Sequence, residues 1–367
     1  MDISADERIV MTLDAGGTNF VFNAVQGGKE LFEPHRLKAR GDTLEEVLGK
    51  IRDGFKDING ALDEAPVAIS FCFPGPADYK MGIIGDLENL PVFRGGVALK
   101  DMLEDQFHIP VFINNDGDLF TYGEAIAGLL PEINSKLKEA GNPKQYHNLF
   151  GATFGTGFGG GIVSDGQLFL GDNSAGGEIN RMRNRLYLST SVEDSLSIRA
   201  IRRVYSRESG ISLEDCPNPK EIQEIGAGTR EGNQKAALIA YEELAVVAGD
   251  VLANAITLID APIVIGGGLS GAHTLYLQRI AEEMNTAFKA LDGHDLPRLE
   301  ITALNLENEK EMKIFLENKS RKINVPFSSR KVIYNPTRYV GIGVTRLGTS
   351  HAVSVGAYAF ALANLEK

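Results

Sequence analysis

The sequence predicts an α/β protein that is divided into two lobes. The chain has 367 residues, a length that favours two lobes over one. Its apolar patterns alternate between the period of strands and the period of helices. Glycine clusters stand beside predicted strands at residues 16–17, 155–161 and 266–271. Because glycine lets backbone N–H groups approach an anion closely, the three clusters together indicate a nucleotide that is held from several sides.

The first lobe is predicted from the first 130 residues. Pro66–Phe73 is almost entirely apolar, which is typical of a strand buried on both faces. Apolar residues from Leu44 to Phe55 repeat at helical spacing. The elements expected in this lobe are strands at 8–14, 20–26, 29–34, 66–73 and 111–114 and helices at 43–55, 98–106 and 119–130.

The second lobe is predicted to begin after a polar segment at 131–147. That segment contains Pro131, Gly141 and Pro143, so a loop or a connection between lobes is expected. Residues 295–335 show no pattern that defines an element. The elements expected in the second lobe are a hairpin around 155–166, helices at 193–206, 218–226, 232–259 and 272–291, a strand at 262–265 and a last helix at 354–365.

The composition excludes several classes of function. Forty-nine acidic and 37 basic residues give a net charge of −12, whereas nucleic-acid binding needs a dense basic surface. Cys72 and Cys216 are isolated in the sequence, so neither a disulfide framework nor a Cys-x-x-Cys metal pair is expected. No apolar stretch approaches the roughly 18 residues of a membrane-spanning helix. We therefore expect a cytoplasmic protein that binds neither nucleic acid nor a membrane.

Residues 14–18 read Asp-Ala-Gly-Gly-Thr between two predicted strands. Gly16 and Gly17 can adopt positive φ and have no Cβ, so the backbone can approach a phosphate. The carboxylate of Asp14 can hold Mg²⁺, directly or through water, beside that phosphate. An ordinary tight hairpin explains the same residues when the motif is considered alone.

Gly155-x-Gly157-x-x-Gly160 matches the dinucleotide-binding fingerprint. That fingerprint requires a helix directly after the glycines. Residues 162–169 predict a hairpin instead, with a turn at Ser164-Asp165-Gly166. An NAD site is therefore not expected here.

The order of motifs along the chain resembles that of the ROK sugar kinases of the actin/hexokinase superfamily. The resemblance runs from about residue 8 to about residue 365. The motifs that carry it are Asp14-Ala-Gly-Gly-Thr18, Phe73-Pro-Gly-Pro76, Asn89-Leu-Pro91, Asn115-Asp116, Gly155-Thr-Gly-Phe-Gly-Gly-Gly161, Ala175-Gly-Gly-Glu178 and Gly266-Gly-Gly268.

The resemblance implies a two-lobed actin-like ATPase (ribonuclease H-like) fold and the transfer of a phosphoryl group from ATP, with Mg²⁺, to a sugar. Residues 1–125 and 353–367 are expected to form the lobe with the first phosphate hairpin and the catalytic aspartate. Residues 126–352 are expected to supply the second phosphate hairpin, the adenosine side and the sugar-binding glutamates. The residues expected to bind the nucleotide are Asp14, Gly16, Gly17, Thr18, Gly155, Thr156, Gly157, Gly267 and Gly268.

Asp116 is the candidate general base. Phosphoryl transfer needs a group that positions the attacking hydroxyl and accepts its proton. Asp116 follows the apolar strand 111–114 and matches the family's catalytic aspartate. Asn115 beside it is expected to bind a sugar hydroxyl. From the residues alone, Asn115–Gly117 can instead form a turn or a helix cap.

Asn89, Glu178 and Glu193 are further sugar-binding candidates that the resemblance implies. Glu178 follows Ala-Gly-Gly, so its side chain can face a ligand, although a solvated turn is the alternative. Glu193 is assigned by its spacing to Ser197. A glutamate at a helix start is also common for electrostatic reasons alone.

The sequence departs from the family pattern after Glu178. Many ROK members have a histidine here and then cysteines that bind structural zinc, whereas this chain has Arg181 and no cysteine in that stretch. Structural zinc is therefore not expected. Arg181 in the sugar pocket can select a substrate with a negative group, such as a sugar acid or a phosphorylated sugar. Asn19-Phe20 resembles the hexokinase version of the first motif, so the subfamily stays open.

An ATP-dependent kinase that acts on a hexose or a hexose derivative is the leading hypothesis. A sugar-responsive ROK repressor is not expected, because only about seven residues precede the first predicted strand. A degenerate kinase that binds sugar as a sensor is the alternative, because the histidine and the zinc motif are missing. The sequence does not identify the sugar, the hydroxyl or the oligomeric state, and a homodimer is among the options.

Overall fold

The structure is a computed structural model that describes residues 3–15 and 19–366. Strands and helices alternate through these residues, which confirms the predicted α/β class. Within the described ranges, no helix has the length and apolar character needed to cross a membrane.

The strands and helices have the following bounds. In chain order, the strands are β1 (Val10–Ala15), β2 (Asn19–Gln26), β3 (Lys29–Glu30), β4 (His35–Lys38), β5 (Ala68–Cys72), β6 (Ala77–Asp78), β7 (Ile83–Ile84), β8 (Val97–Ala98), β9 (Val111–Asn114), β10 (Leu149–Phe154), β11 (Phe158–Ser164), β12 (Gln167–Leu168), β13 (Ile263–Gly266), β14 (Ala287–Lys289), β15 (Asp295–Pro297), β16 (Thr302–Asn305), β17 (Arg321–Asn324), β18 (Lys331–Tyr334) and β19 (Tyr339–Val344). The α-helices are α1 (Leu44–Ala61), α2 (Leu99–Phe107), α3 (Asp116–Ala127), α4 (Leu129–Glu139), α5 (Ile198–Ser209), α6 (Pro219–Gly226), α7 (Gln234–Ile259), α8 (Leu277–Met284), α9 (Glu309–Leu316) and α10 (Thr349–Leu365). Short 3₁₀ helices occur at Ile179–Arg181, Val192–Asp194 and Ser270–Leu275.

The chain divides into two compact units. Unit 1 comprises Met1–Gly128, Gly161–Gly177 and Arg346–Lys367, and unit 2 comprises Leu129–Gly160 and Glu178–Thr345. Residues 161–177 and 346–352, which the sequence predicts in the second lobe, lie within unit 1. Gly161 lies against the backbone of α3, and Arg346 N donates to Glu124 Oε1 of the same helix at 3.0 Å. These tertiary contacts, and not the local sequence pattern, decide where the two stretches belong.

Unit 1 is built on a sheet with the strand order β3-β2-β1-β5-β9, and β4 also pairs with β2. β1 and β2 are antiparallel, whereas β5 is parallel to both β1 and β9. All residues of β5 are buried, as expected for a strand covered on both faces. Phe55 of α1 packs edge-on against Phe22 of β2, with ring centroids 5.2 Å apart. This core fixes the carboxyl ends of β1, β5 and β9 at one edge of the sheet.

Helices α3 and α10 of unit 1 meet through glycine residues. A Cβ at Gly123 would overlap the backbone of Ala352, and a Cβ at Gly356 would overlap the carbonyl oxygen of Leu119. Glycine inside a helix is less favourable than alanine by about 0.5–1 kcal/mol. The close approach of the two helix backbones is the structural reason for these residues.

The second sheet has the strand order β12-β11-β10-β13-β19-β16. In unit 2, β13 is parallel to β10 and β19, and β19 is parallel to β16. Thr153 of β10 lies in register with Gly266 of β13, so the loops that follow these two strands leave the sheet side by side. Helix α7 is buried around much of its circumference, which is typical of a helix inside a core and not on a surface.

The prediction of a loop at 131–147 was wrong for residues 131–139, which are helical, and is confirmed for 140–147. α4 begins at Leu129, and its residues Leu130, Ile133 and Leu137 are buried at helical spacing. Pro131 lies in the first turn of the helix, where a proline removes no intrahelical hydrogen bond. Pro131 and Lys138 lie on the exposed face of this helix, whereas Gly141 and Pro143 belong to the loop that follows it.

The prediction of one helix at 272–291 was also wrong. Tyr276 has φ −137°, which is outside the helical region, and its hydroxyl donates to Leu269 O at 3.1 Å. Asn285 ends α8 by bonding both the carbonyl and the amide of Ala303, at 2.8 and 2.9 Å. The undefined stretch 295–335 contains β15, β16, α9, β17 and β18.

Candidate functional site

The carboxyl ends of β1, β5 and β9 bring chemically active side chains to one edge of the unit 1 sheet. Asp14 lies in register with Cys72, which in turn is paired with Asn114. Asp116 follows as the first residue of α3. The Sγ of Cys72 lies 3.7 Å from Oδ1 of Asp14. Since open α/β sheets bind ligands at this edge, both predicted aspartates stand where a ligand is expected.

The surroundings of the two carboxylates raise the pKa of both groups. Burial among protein atoms is the main reason that the pKa of Asp116 is raised, and the negative charge of Asp14 adds to it. Burial also raises the pKa of Asp14, although the Cys72 thiol and the Arg36 charge oppose this rise. Both aspartates nevertheless have solvent-exposed surface. A ligand can therefore reach carboxylates whose hydration is already reduced.

Asn115 is the N-cap of α3, so the alternative interpretation of this residue as a helix cap is confirmed. Its Oδ1 accepts a hydrogen bond from Gly117 N at 2.8 Å. The same amide donates to Oδ1 of Asp116 at 2.8 Å and so orients that carboxylate. Asn115 Nδ2 lies 3.4 Å from the hydroxyl of Tyr79. The sugar-binding role of Asn115 stays a prediction.

Asn89 lies on a loop of unit 1 that is anchored by buried side chains. Leu87 and Leu90 are 2 % and 3 % exposed, whereas Asn89 between them is exposed. Asn89 lines an open pocket of about 700 Å³ together with Arg40 and Glu88. The loop therefore presents the Asn89 amide to a pocket with charged groups, and its sugar contact stays a prediction.

Glycine loops follow β10 and β13 in unit 2. Gly267 has φ +85°, and a Cβ at this position would overlap the backbone of Phe154. Gly155 N donates to Gly157 O at 2.9 Å, which closes a tight turn after β10. A Cβ at Gly155 would lie 3.9 Å from Gly268 N. The structure thus brings together two glycine clusters that lie more than a hundred positions apart in the sequence.

A strand, β11, follows the turn at Gly155–Gly157. A dinucleotide site of the fingerprint type needs a helix at this point, so the local structure agrees with the prediction that the fingerprint match is coincidental. Thr156 is exposed in the turn. The phosphate-binding role of Thr156 stays a prediction.

The sugar-binding candidates of unit 2 lie on the segment that follows Gly177. Glu178 and Arg181 are exposed beside a short 3₁₀ helix. Glu193 contacts the turn after β10, because its Oε2 accepts a hydrogen bond from Phe158 N at 3.2 Å. The roles of all three side chains in binding sugar stay predictions.

Gly16, Gly17 and Thr18 lie outside the described residues. Their predicted contacts with phosphate stay predictions. The described residues on either side, Ala15 and Asn19, belong to β1 and β2.

Sequence reasoning missed three residues of this region. Cys72 is the last residue of β5, but the apolar run in the sequence continues to Phe73, so no strand-end signal marks Cys72. Tyr79 donates from its hydroxyl to Phe73 O at 2.9 Å and so orders the start of the Phe73-Pro-Gly-Pro76 motif, whose Gly75–Pro76 peptide is cis. The Asn180 side chain has a buried Oδ1 without a hydrogen-bond partner among the described residues, and no sequence signal marks it.

The two sheets, with their parallel strands and glycine loops, define the actin-like ATPase fold that the sequence predicts. A model of the ROK family matches residues 10–310, and the chain belongs to this family. It is 53% identical to a glucokinase from Parabacteroides distasonis whose crystal structure superposes with a TM-score of 0.91, with 99% of each chain covered.

Two curated relatives are sugar kinases by name. A glucokinase from Thermotoga maritima is 25% identical over 74% of this chain and 86% of its own length. An N-acetyl-D-glucosamine kinase from Photobacterium profundum is 28% identical over 74% of this chain and 88% of its own length. The expected family membership is therefore confirmed.

Proposed function

We propose that this chain is an ATP-dependent sugar kinase that phosphorylates a hydroxyl of a hexose, with Asp116 as the general base. Membership of the ROK family and the names of the relatives support sugar kinase chemistry. The observation that carries the proposal is the state of the Asp116 carboxylate. It is oriented by the amide of Gly117, has solvent-exposed surface and has a raised pKa. A raised pKa increases the strength of a carboxylate as a base.

The nucleotide phosphates are proposed to bind the glycine loops of unit 2. Phosphoryl transfer depends mainly on positioning and on neutralising the phosphate oxygens. The turn at Gly155–Gly157 and the Gly267–Gly268 loop expose backbone that can approach phosphate closely.

Mg²⁺ fits the chemistry of Asp14. Mg²⁺ is usually bound through one or two carboxylates together with substrate phosphates, and the exposed surface of the Asp14 side chain supplies such an oxygen donor. When bound, the ion neutralises charge on the transferred phosphoryl group. The hydrogen bond from Cys72 orients the Asp14 carboxylate.

Glucose is the first substrate to test, because the 53% identical chain is named a glucokinase. N-acetylglucosamine is the second, because a curated relative bears that name. Sugar acids and phosphorylated sugars are the third class, because Arg181 presents an exposed guanidinium on the segment proposed to bind sugar.

A coupled ADP-release assay over these sugars tests the proposal. Sugar-dependent ADP release that requires Mg²⁺ and falls in the Asp116→Asn variant is the expected result. If calorimetry shows that the wild type binds sugar but the assay detects no turnover, the proposed kinase activity is contradicted and a sugar sensor is favoured. The absence of both binding and turnover would contradict both functions.

A further inference from the structure

Residues 182–195 of unit 2 form a closed loop between Arg181 and α5. Val192 N donates to Met182 O at 2.9 Å, and Asn184 N donates to Thr190 O at 3.0 Å. Arg185 contacts the buried Glu283 of α8. The loop therefore has internal hydrogen bonds and a separate attachment to the core of unit 2.

Asn184 is the buried centre of this loop. It is 0 % exposed, and its side chain uses both its oxygen and its nitrogen. Oδ1 accepts hydrogen bonds from the amides of Leu186 and Tyr187 at 3.0 and 3.2 Å. Nδ2 donates to Ser195 Oγ at 2.8 Å and to Ser191 O at 3.3 Å. One side chain thus joins both sides of the loop.

Glu193 lies in the same loop, two positions before Ser195. The hydroxyl of Ser195 accepts the hydrogen bond from Asn184 Nδ2. Glu193 Oε2 accepts from Phe158 N at 3.2 Å, and a Cβ at Gly157 would lie 2.8 Å from the same oxygen. Asn184 is therefore connected through Ser195 and Glu193 to the glycine turn that is proposed to bind phosphate.

We propose that Asn184 is a positioning residue that holds Glu193 against the amide of Phe158 and so fixes the Gly155–Gly157 turn for the nucleotide phosphates. This inference rests on the proposed function for its catalytic consequence. Glu178 and Arg181 precede the same loop, so loss of the Asn184 hydrogen bonds disturbs sugar binding as well. Asn184 contacts neither ligand and acts only through its neighbours.

The decisive variant is Asn184→Ala, with Asn142→Ala as a matched control. Asn142 is also buried in unit 2, at 5 % exposed, and it likewise joins distant backbone by donating to Glu317 O at 3.1 Å and accepting from Lys144 N at 3.0 Å. Both variants are expected to lower the melting temperature. Ser195→Ala removes a single partner of Asn184 and is the milder test if Asn184→Ala does not fold.

Hydrogen exchange of the unliganded protein provides a readout that needs no activity. The peptide that contains Phe158 is expected to exchange about tenfold faster in Asn184→Ala and in Glu193→Ala, the scale of one lost hydrogen bond to a charged acceptor. The Asn142→Ala control is expected to leave that peptide unchanged. Equal exchange of this peptide in wild type and Asn184→Ala would overturn the proposal.

Ligand binding provides the second readout. Asn184→Ala is expected to weaken binding of AMP-PNP with Mg²⁺ about tenfold in calorimetry and to raise the KM values for nucleotide and sugar more than it lowers kcat. Unchanged nucleotide affinity in a folded Asn184→Ala variant would leave Asn184 with a structural role alone and reject the proposal. A wild type without any turnover would reject the proposed function, while the exchange experiment would still decide the role of Asn184.

Discussion

The two units place different chemistry at the ends of their central strands. Unit 1 presents side chains there, namely Asp14, Cys72 and Asp116, whereas unit 2 presents backbone in the loops at Gly155 and Gly267. A side chain can be replaced by one of the same shape, so its chemistry can be removed while the fold is kept. A backbone group can be blocked only by adding atoms, which also damages the fold. Substitutions of these side chains in unit 1 should therefore separate activity from stability, and substitutions in the glycine loops of unit 2 should not.

The largest expected effect belongs to Asp116→Asn. The amide keeps the shape and the bond to Gly117 N but cannot accept the proton of the sugar hydroxyl. We expect turnover to fall about 10²- to 10⁴-fold, the usual contribution of a positioned general base, with sugar and nucleotide affinity nearly unchanged. The measurement is steady-state kinetics beside calorimetry, with Asp101→Asn on the exposed face of α2 as a control. A fall of less than about threefold would exclude Asp116 as the base.

Asp14→Asn is expected to act on the nucleotide and not on the sugar. It removes a negative oxygen that Mg²⁺ prefers while keeping a side chain of the same size. We expect the affinity for Mg²⁺-nucleotide to fall about 10- to 100-fold, as is typical when support for a metal site is lost. Titrations of nucleotide, with and without Mg²⁺, and of sugar measure this difference. Equal losses of affinity for nucleotide and sugar would point to a damaged fold and contradict the expectation that side chains of unit 1 can be replaced without damage to the fold.

Gly267→Ala should combine loss of stability with loss of nucleotide binding. The positive φ alone costs an alanine about 1–2 kcal/mol, and the added Cβ would overlap the backbone of Phe154. We therefore expect the free energy of unfolding to fall by at least about 2 kcal/mol. Denaturant unfolding measures it.

Gly49→Ala is the matched control for Gly267→Ala. Gly49 lies inside α1, and a Cβ there meets no atom within 4 Å. This change should stabilise the protein by about 0.5–1 kcal/mol. A Gly267→Ala variant as stable as the wild type would show that the loop can move to accept a side chain.

The smallest expected effect is a gain in stability in Asp116→Asn at neutral pH. The pKa of Asp116 is raised in the folded state above the ordinary value of 3.8, so the ionised carboxylate disfavours folding. Below pH 3.8 the Asp116 carboxyl is protonated and carries no such cost. The free energy of unfolding of the wild type therefore falls as the pH rises from 3.8 through the folded pKa, whereas that of Asp116→Asn has no such contribution from residue 116. Melting curves between pH 3 and pH 8 should therefore diverge as the pH rises. A melting temperature that is lower in the variant at pH 7 would contradict this sign.

The residues at strand ends were predictable from sequence because their signals are local. Asp14 and Asp116 each follow a short apolar run, and the glycines of 155–157 stand directly after another. When an apolar strand is followed by a polar residue or a glycine, that side chain or loop lies at the end of the strand and so at the edge of the sheet. The identity of the fold therefore follows from motifs that each span a few residues.

The contacts that support those residues were not predictable. Glu193 and Phe158 are 35 positions apart, and nothing in either local sequence selects the other. Pro131 and the charged residues after it indicated a loop, so helix α4 was not predicted. The structure is decided by the burial of three apolar side chains at helical spacing, Leu130, Ile133 and Leu137. The unit that contains 161–177 was likewise set by packing against α3.

The glycine contact between α3 and α10 also makes one part of unit 1 dependent on residues that are far apart in the sequence. Gly123 and Gly356 are joined only after the chain has closed a loop that contains all of unit 2. Closing a long loop costs entropy before its contacts form, so folding that depends on distant contacts is slow. We therefore expect unit 2 to gain protected amides first during refolding, and α3 to follow. Pulse-labelled hydrogen exchange that finds α3 protected before β10 and β13 would reverse this order.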